Sequence, residues 1–257
     1  MLRTNTQIDR LTTAIQSKRW QEMDGILNTI TTSSELNQFG THQMTPLAWA
    51  AYHGDTKTFN RLLCKGADIN LAKKNEDTPL ISAMRTRQWD LVNLLLSKQV
   101  DVHHVGYRGM SALSWASHHG ALNVVKQILA KNPVIDVVDA DGNTPLIEAV
   151  KLGHWQVAKM LLERGANMDH VGQGRMTAFL WANSRVEEGD LKTLSVLIKV
   201  IEKAIQCSIS QQQDRSAHSQ EGEISNIVRQ YLFFKPADKV QENKQSEVVE
   251  QTTPRLG

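Results

Sequence analysis

The sequence predicts an all-α array of stacked helical units. Three observations carry that expectation: a 33-residue period, a Thr-Pro-Leu start signal, and paired aliphatic residues late in each unit. The starts are Thr45-Pro46-Leu47, Thr78-Pro79-Leu80, Ser111-Ala112-Leu113, Thr144-Pro145-Leu146 and Thr177-Ala178-Phe179. An alanine follows at one offset, as Ala50, Ala83, Ala116, Ala149 and Ala182. The aliphatic pairs are Leu62-Leu63, Leu95-Leu96, Ile128-Leu129 and Leu161-Leu162.

Each element has a physical reason. A threonine hydroxyl caps free N–H groups at a helix start, and proline is tolerated in the first turn. The alanines let two helices approach closely. The aliphatic pairs form a stripe that one unit cannot bury alone, so stacking supplies the stability. Asp141-Gly142-Asn143 has the composition of a tight reversal between units.

These residues resemble the ankyrin repeat, whose signature is T-P-L-H-x-A at a 33-residue period. The resemblance covers roughly residues 5–206. It implies an ankyrin-repeat solenoid of helix-turn-helix units joined by β-hairpin-like turns. About five full repeats are expected at 40–72, 73–105, 106–138, 139–171 and 172–206, after a divergent capping repeat at 5–38. One departure is consistent: Ala48, Ile81, Ser114, Ile147 and Leu180 replace the signature histidine. These turns are therefore expected to rely more on packing.

A second period of 66 residues overlies the first. It relates Met44, Met110 and Met176, then Trp49, Trp115 and Trp181, then Gly40, Gly106 and Gly172. Trp89 and Trp155 share it, and Trp20 precedes the aliphatic pair Ile26-Leu27. The array thus reads as three double repeats, the first with a short insertion at Thr31–Ser34. Core packing is the expected role of the tryptophans, and an exposed aromatic row is the alternative.

The ends differ from the middle. A polar first helix near Gln7–Ser17 suits an N-terminal cap. The last unit carries an insertion at Val186-Glu187-Glu188, and its second helix, near Leu191–Ile205, is apolar on more than one side. Residues 207–223 read as a flexible linker. Residues 224–235 read as an amphipathic helix, with Ile224, Ile227, Val228, Tyr231 and Leu232 on one face. It is expected to cap the array, with partner docking as the other possibility. Residues 236–257 read as a disordered tail.

Composition narrows the function. The 257 residues are 40% hydrophobic and 22% charged, with a net charge of +2. An ordinary soluble protein fits those values, and neither a nucleic-acid binder nor an acidic-substrate enzyme is indicated. Cys64 and Cys207 form neither a disulfide framework nor a zinc pattern. Met1–Ser17 lacks the apolar core of a signal peptide, and no run approaches the ~18 apolar residues of a membrane span. A soluble, cytoplasmic protein is expected. No phosphate-binding glycine loop or nucleophile elbow is present. His103-His104 and His118-His119 are adjacent pairs that point apart, so no metal, cofactor or catalytic residue is assigned.

In the ankyrin family, ligands meet the hairpin tips and the exposed end of each first helix. The resemblance therefore implies a partner surface at Tyr52, His53, Arg85, Arg87, Tyr107, Arg108, His118, His119, Lys151 and Arg185. The helix row among them is basic without an acid, and tyrosine and arginine are frequent interface anchors. The expected function is a protein–protein interaction module, an adaptor or scaffold, whose concave face binds a partner with an acidic surface. It is not expected to be an enzyme, to bind a membrane or to oligomerise. Nucleic-acid binding and a cryptic enzyme are less favoured. An alternative is a bacterial type IV secreted effector that engages a host protein in the host cytosol, as the Gln-, Asn- and Lys-rich character and the tail glutamates Glu242, Glu247 and Glu250 allow. Asn70, after Asp68-Ile69, resembles hydroxylated asparagines of animal ankyrin repeats; a turn asparagine is the plainer reading.

Overall fold

The computed structural model describes residues 7–186, apart from the side chains of Thr41, Asn183, Arg185 and Val186. These residues belong to the first of the chain's two units, Met1–Ile205 and Gln206–Gly257. The expected second helix of the last repeat, the linker, the 224–235 helix and the tail lie outside the described residues.

The described residues are all-α. A capping unit comprises α1 (Gln7–Gln16), α2 (Trp20–Thr29) and the one-turn α3 (Ser33–Leu36). Helix pairs follow: α4 (Pro46–His53) with α5 (Thr56–Cys64), α6 (Pro79–Arg85) with α7 (Trp89–Leu96), α8 (Ala112–His118) with α9 (Leu122–Leu129), and α10 (Pro145–Lys151) with α11 (Trp155–Glu163). The first helix of the last unit is α12 (Ala178–Val186). The short α3 begins within the insertion expected at Thr31–Ser34, sharing Ser33 and Ser34 with it, and runs on to Leu36.

The start signals act as expected. Thr45 Oγ1 accepts from Ala48 N at 3.1 Å, Thr78 Oγ1 from Ile81 N at 3.3 Å, and Thr144 Oγ1 from Ile147 N at 3.4 Å. Ser111 and Thr177 cap α8 and α12 in the same way. Each satisfies one of the four unpaired N–H groups that open a helix.

First helices pack in a row, α4 on α6, α6 on α8, α8 on α10 and α10 on α12, with α1 against α4 at the start. Ala50, Ala83, Ala116 and Ala149 are fully buried along it. Behind them α7 packs on α9 and α9 on α11. Leu62, Leu95, Ile128 and Leu161 are also fully buried, in one hydrophobic cluster running from Ile8 to Ala182. Full burial stabilises each such side chain by about 1.5–3 kcal/mol. Because the cluster is continuous across units, a unit on its own would forfeit much of that.

The connections are narrow hairpins with a repeated bond. Gly40 N, Gly106 N, Asp139 N and Gly172 N each donate to the carbonyl four residues on, at 3.0 Å. The 66-residue period is visible in their tips. Thr41–Gln43, Tyr107–Gly109 and Gln173–Arg175 are 3-10 turns, with left-handed backbone at His42, Arg108 and Gly174. The units are further tied by an asparagine and aspartate ladder. Asn37 Oδ1 accepts from Asp68 N at 2.8 Å, Asn70 Oδ1 from Asp101 N at 2.9 Å, and Asp136 Oδ1 from Asn167 N at 3.1 Å. Asn70 is thus a rung between repeats.

Candidate functional site

The ends of the first helices form a row of Tyr52, Arg85, His118, Lys151 and Ser184, and the hairpin tips stand beside it. Where α4, α6 and the Tyr107 hairpin meet, they enclose a cleft of about 530 Å³. Its walls include Trp49, Tyr52, His53, Asp77, Arg85 and Tyr107, with Gln16, His42, Met44 and Glu76 completing it.

Arg85 organises this cleft. Its guanidinium lies 5.1 Å from the Tyr52 ring centre and 5.9 Å from that of Tyr107. Such cation–π contacts hold a planar fork in place. Beneath it Arg85 Nη1 is 2.9 Å from Asp77 Oδ2. The Asp77 side chain is 2% exposed and that of Arg85 27%, so the acid lies under the cation. Burial pushes the Asp77 carboxyl up from its ordinary range, opposed by Arg85, the Tyr107 backbone N–H and His104. Asp77 Oδ1 accepts that N–H at 2.9 Å, which fastens the next hairpin to this site.

Lys151 repeats the arrangement two units on. Its Nζ is 3.9 Å from Glu148 Oε1, and the side chains are 29% and 8% exposed. It also donates to Gln173 Oε1 at 3.1 Å and lies 5.7 Å from the Trp181 ring centre. Glu148 accepts from Asn143 Nδ2 at 2.9 Å and pairs with His118 Nδ1 at 2.7 Å. Burial alone would raise its carboxyl. The bonds from His118 and Asn143 and the charges of Lys151 and His118 outweigh burial and hold it below the ordinary range.

The histidines do not all add charge to the row. His53 stacks on Trp49 with ring centres 5.7 Å apart and planes 16° from parallel. His119 stacks on Trp115 at 5.6 Å and 22°. Burial, then Lys18, lowers the pKa of His53. Burial, then Arg87 and His118, lowers that of His119 to about 4. The His119 ring is thus neutral near pH 7. The apparently all-basic row is therefore a layer of cations over two buried acids, with a neutral imidazole beside it. The tryptophans of the first helices take the expected packing role: Trp49 is buried, and Trp115 and Trp181 are half-buried against the core, as are Trp89 and Trp155, while Trp20 in the capping unit is 41% exposed.

Three described arginines, Arg87, Arg108 and Arg175, occupy left-handed backbone, and the first two belong to the expected partner surface. Arg87 has φ 60°, at the position where other units carry Gly54, Gly120 and Gly153. Arg108 has φ 58°, where the next equivalent tip has Gly174. A non-glycine residue there costs about 1–2 kcal/mol. Arg87 Nε donates to His119 Nδ1 at 3.1 Å. Arg108 is exposed and pairs with Asp141 at 2.7 Å, a surface pair worth about 0–1 kcal/mol. Tyr107 is 53% exposed beside it. The Arg185 side chain lies outside the described residues.

The residues that sequence reasoning missed are Asp77 and Glu148. For Asp77 a signal existed. The position before each start signal reads Met44, Asp77, Met110, Asn143, Met176, so the 66-residue period marks two polar residues at a buried place. Gly106 and Gly172 belong to the same pattern. A Cβ at Gly106 would fall 2.5 Å from Asp77 Oδ1, and one at Gly172 would fall 2.6 Å from Asn143 Oδ1.

No described helix is long and apolar enough to cross a membrane. Residues 23–105 and 90–172 match the family pattern described as ankyrin repeats (3 copies). The chain is 33% identical over 120 residues to a putative ankyrin repeat protein of fowlpox virus, covering 47% of this chain and 84% of that one. It is 27% identical over 191 residues to a probable E3 ubiquitin-protein ligase of Oryza sativa subsp. japonica, covering 62% and 38%. It is also 31% identical over 134 residues to an ankyrin repeat and KH domain-containing protein of Caenorhabditis elegans, covering 51% and 5%. The match thus spans well under half of the rice and nematode proteins. With caps, stacked helices, hairpins and this match in agreement, the chain belongs to the ankyrin-repeat family.

Proposed function

We propose that this protein-interaction module binds an acidic segment of a partner protein on the face made by its first helices and hairpin tips, with Arg85 at the centre. It acts by recognition, as an adaptor or scaffold. The observation that carries this reading is the order of charges with depth. Asp77 and Glu148 are buried, whereas Arg85 and Lys151 stand above them at the surface. A partner therefore meets cations first.

The Arg85 fork is already held by Asp77 and two tyrosines, so docking a carboxylate orders little further side-chain freedom. Its remaining N–H donors suit a carboxylate, whose two oxygens accept in the plane of the fork. Tyr52 and Tyr107 add broad contact area at low entropic cost. Arg108 contributes less, because its charge is shared with exposed Asp141.

Affinity capture from a cell lysate tests this, comparing wild type with Arg85→Gln/Arg108→Gln. Partners with acidic segments should be retained by wild type, be released as salt rises, and be depleted in the variant. An unchanged set of captured proteins would refute the assignment.

A further inference from the structure

Arg85 has a counterpart. Arg85 ends α6 and Lys151 ends α10, at one position of alternate units. Each stands over a buried carboxylate, Asp77 or Glu148. Each contacts the same residue of the following hairpin, Tyr107 or its equivalent Gln173. Each lies against another aromatic ring, Tyr52 or Trp181. Between them, at the same position of α8, stands His118, whose Nδ1 is taken by Glu148. The face therefore carries two like cationic anchors separated by one different residue.

Their spacing follows from packing. Helix α8 lies between α6 and α10, and packed helix axes are about 8–10 Å apart, so the anchors are roughly 16–20 Å apart. An extended chain covers about 3.3 Å per residue, so about five to six residues bridge that distance. Of these, six is the even number, and side chains two, four or six apart in a strand point the same way. In a polyproline II segment, six residues make two full turns, with the same result.

We propose that this face reads two acidic side chains of one extended partner segment, six residues apart, one at Arg85 and the other at Lys151. This rests on the acidic-partner reading above. The second contact follows the first within one complex, so the two reinforce each other only when the spacing matches.

The test is an NMR titration of the full chain with synthetic Gly-Ser peptides. Each peptide carries two glutamates spaced by three, five, six or nine residues, and a one-glutamate peptide and a poly-glutamate chain serve as controls. The six-residue spacing should bind at least about five-fold more tightly than any other. It should also shift signals near both Arg85 and Lys151. Lys151→Gln, which leaves Glu148 bonded to His118 and Asn143, should reduce that peptide to the affinity of the one-glutamate control. Equal binding at every spacing would overturn the two-anchor inference and leave the acidic-partner reading standing. Failure of every peptide and of poly-glutamate to bind would overturn both.

Discussion

Substituting Gly106 with alanine tests how the double period is built. Gly106 has φ −94° and ψ −153°, extended backbone that alanine adopts freely. The cost is therefore steric. The new Cβ would fall 2.5 Å from Asp77 Oδ1 and 3.2 Å from two carbons of Ile81. Asp77 is fixed from the other side by Arg85 and by the Tyr107 N–H, so it has little room to retreat. Losing a hydrogen bond to a charged group costs about 1.5–3 kcal/mol. Crowding a packed site costs about 1–3 kcal/mol. The terms overlap, because moving Asp77 relieves the crowding, so a total near ~3 kcal/mol is expected. Urea denaturation followed by circular dichroism reads this as a lower midpoint. Asp77→Ala supplies the control, since removing the carboxylate removes the clash. In that background Gly106→Ala should cost under about 1 kcal/mol, a coupling of the size contacting residues show. A small cost in wild type, or an equal cost in both backgrounds, would refute the reasoning.

Other predictions concern charge and capping. Arg85→Gln leaves Asp77 buried without its cation and should destabilise the array by about 3 kcal/mol at pH 7. The Asp77 pKa is already raised, and loss of Arg85 raises it further. A raised carboxyl binds its proton more tightly when folded, so stability falls as pH rises through the window above the unfolded value. The deficit of Arg85→Gln should therefore shrink towards pH 4–5 in urea midpoints, and a deficit constant with pH would contradict this. His119 has its folded pKa near 4, below its ordinary 6.5. Its contribution to stability is thus present above about pH 6.5 and lost as pH falls towards 4. Its ring proton signals should stay unshifted by NMR until below about pH 5, and Arg87→Ala should move that titration upward, since the Arg87 charge opposes protonation. Thr144→Ala removes the bond to Ile147 N and should cost about 1 kcal/mol by urea denaturation, with Thr144→Ser largely retaining it.

The sequence by itself determined the repeat, because its signals are local. A Thr-Pro start, a buried alanine and an aliphatic pair each act within one unit, and a fixed period aligns them. It also revealed the double period through Met44, Trp49 and Gly40 and their equivalents. What those residues were for was a matter of contact between units. Gly106 is small because Asp77, 29 positions earlier, leans on it. Charge was the least legible feature. A row of Arg85, His118, His119 and Lys151 looks basic when written out, since spacing along a helix does not report depth. Only packing puts Asp77 and Glu148 below the cations and buries His119 against Trp115 until its imidazole is neutral. Electrostatics depends on distance and on exclusion of water. Both are set by which residues of neighbouring units meet, and that is decided by the tertiary structure.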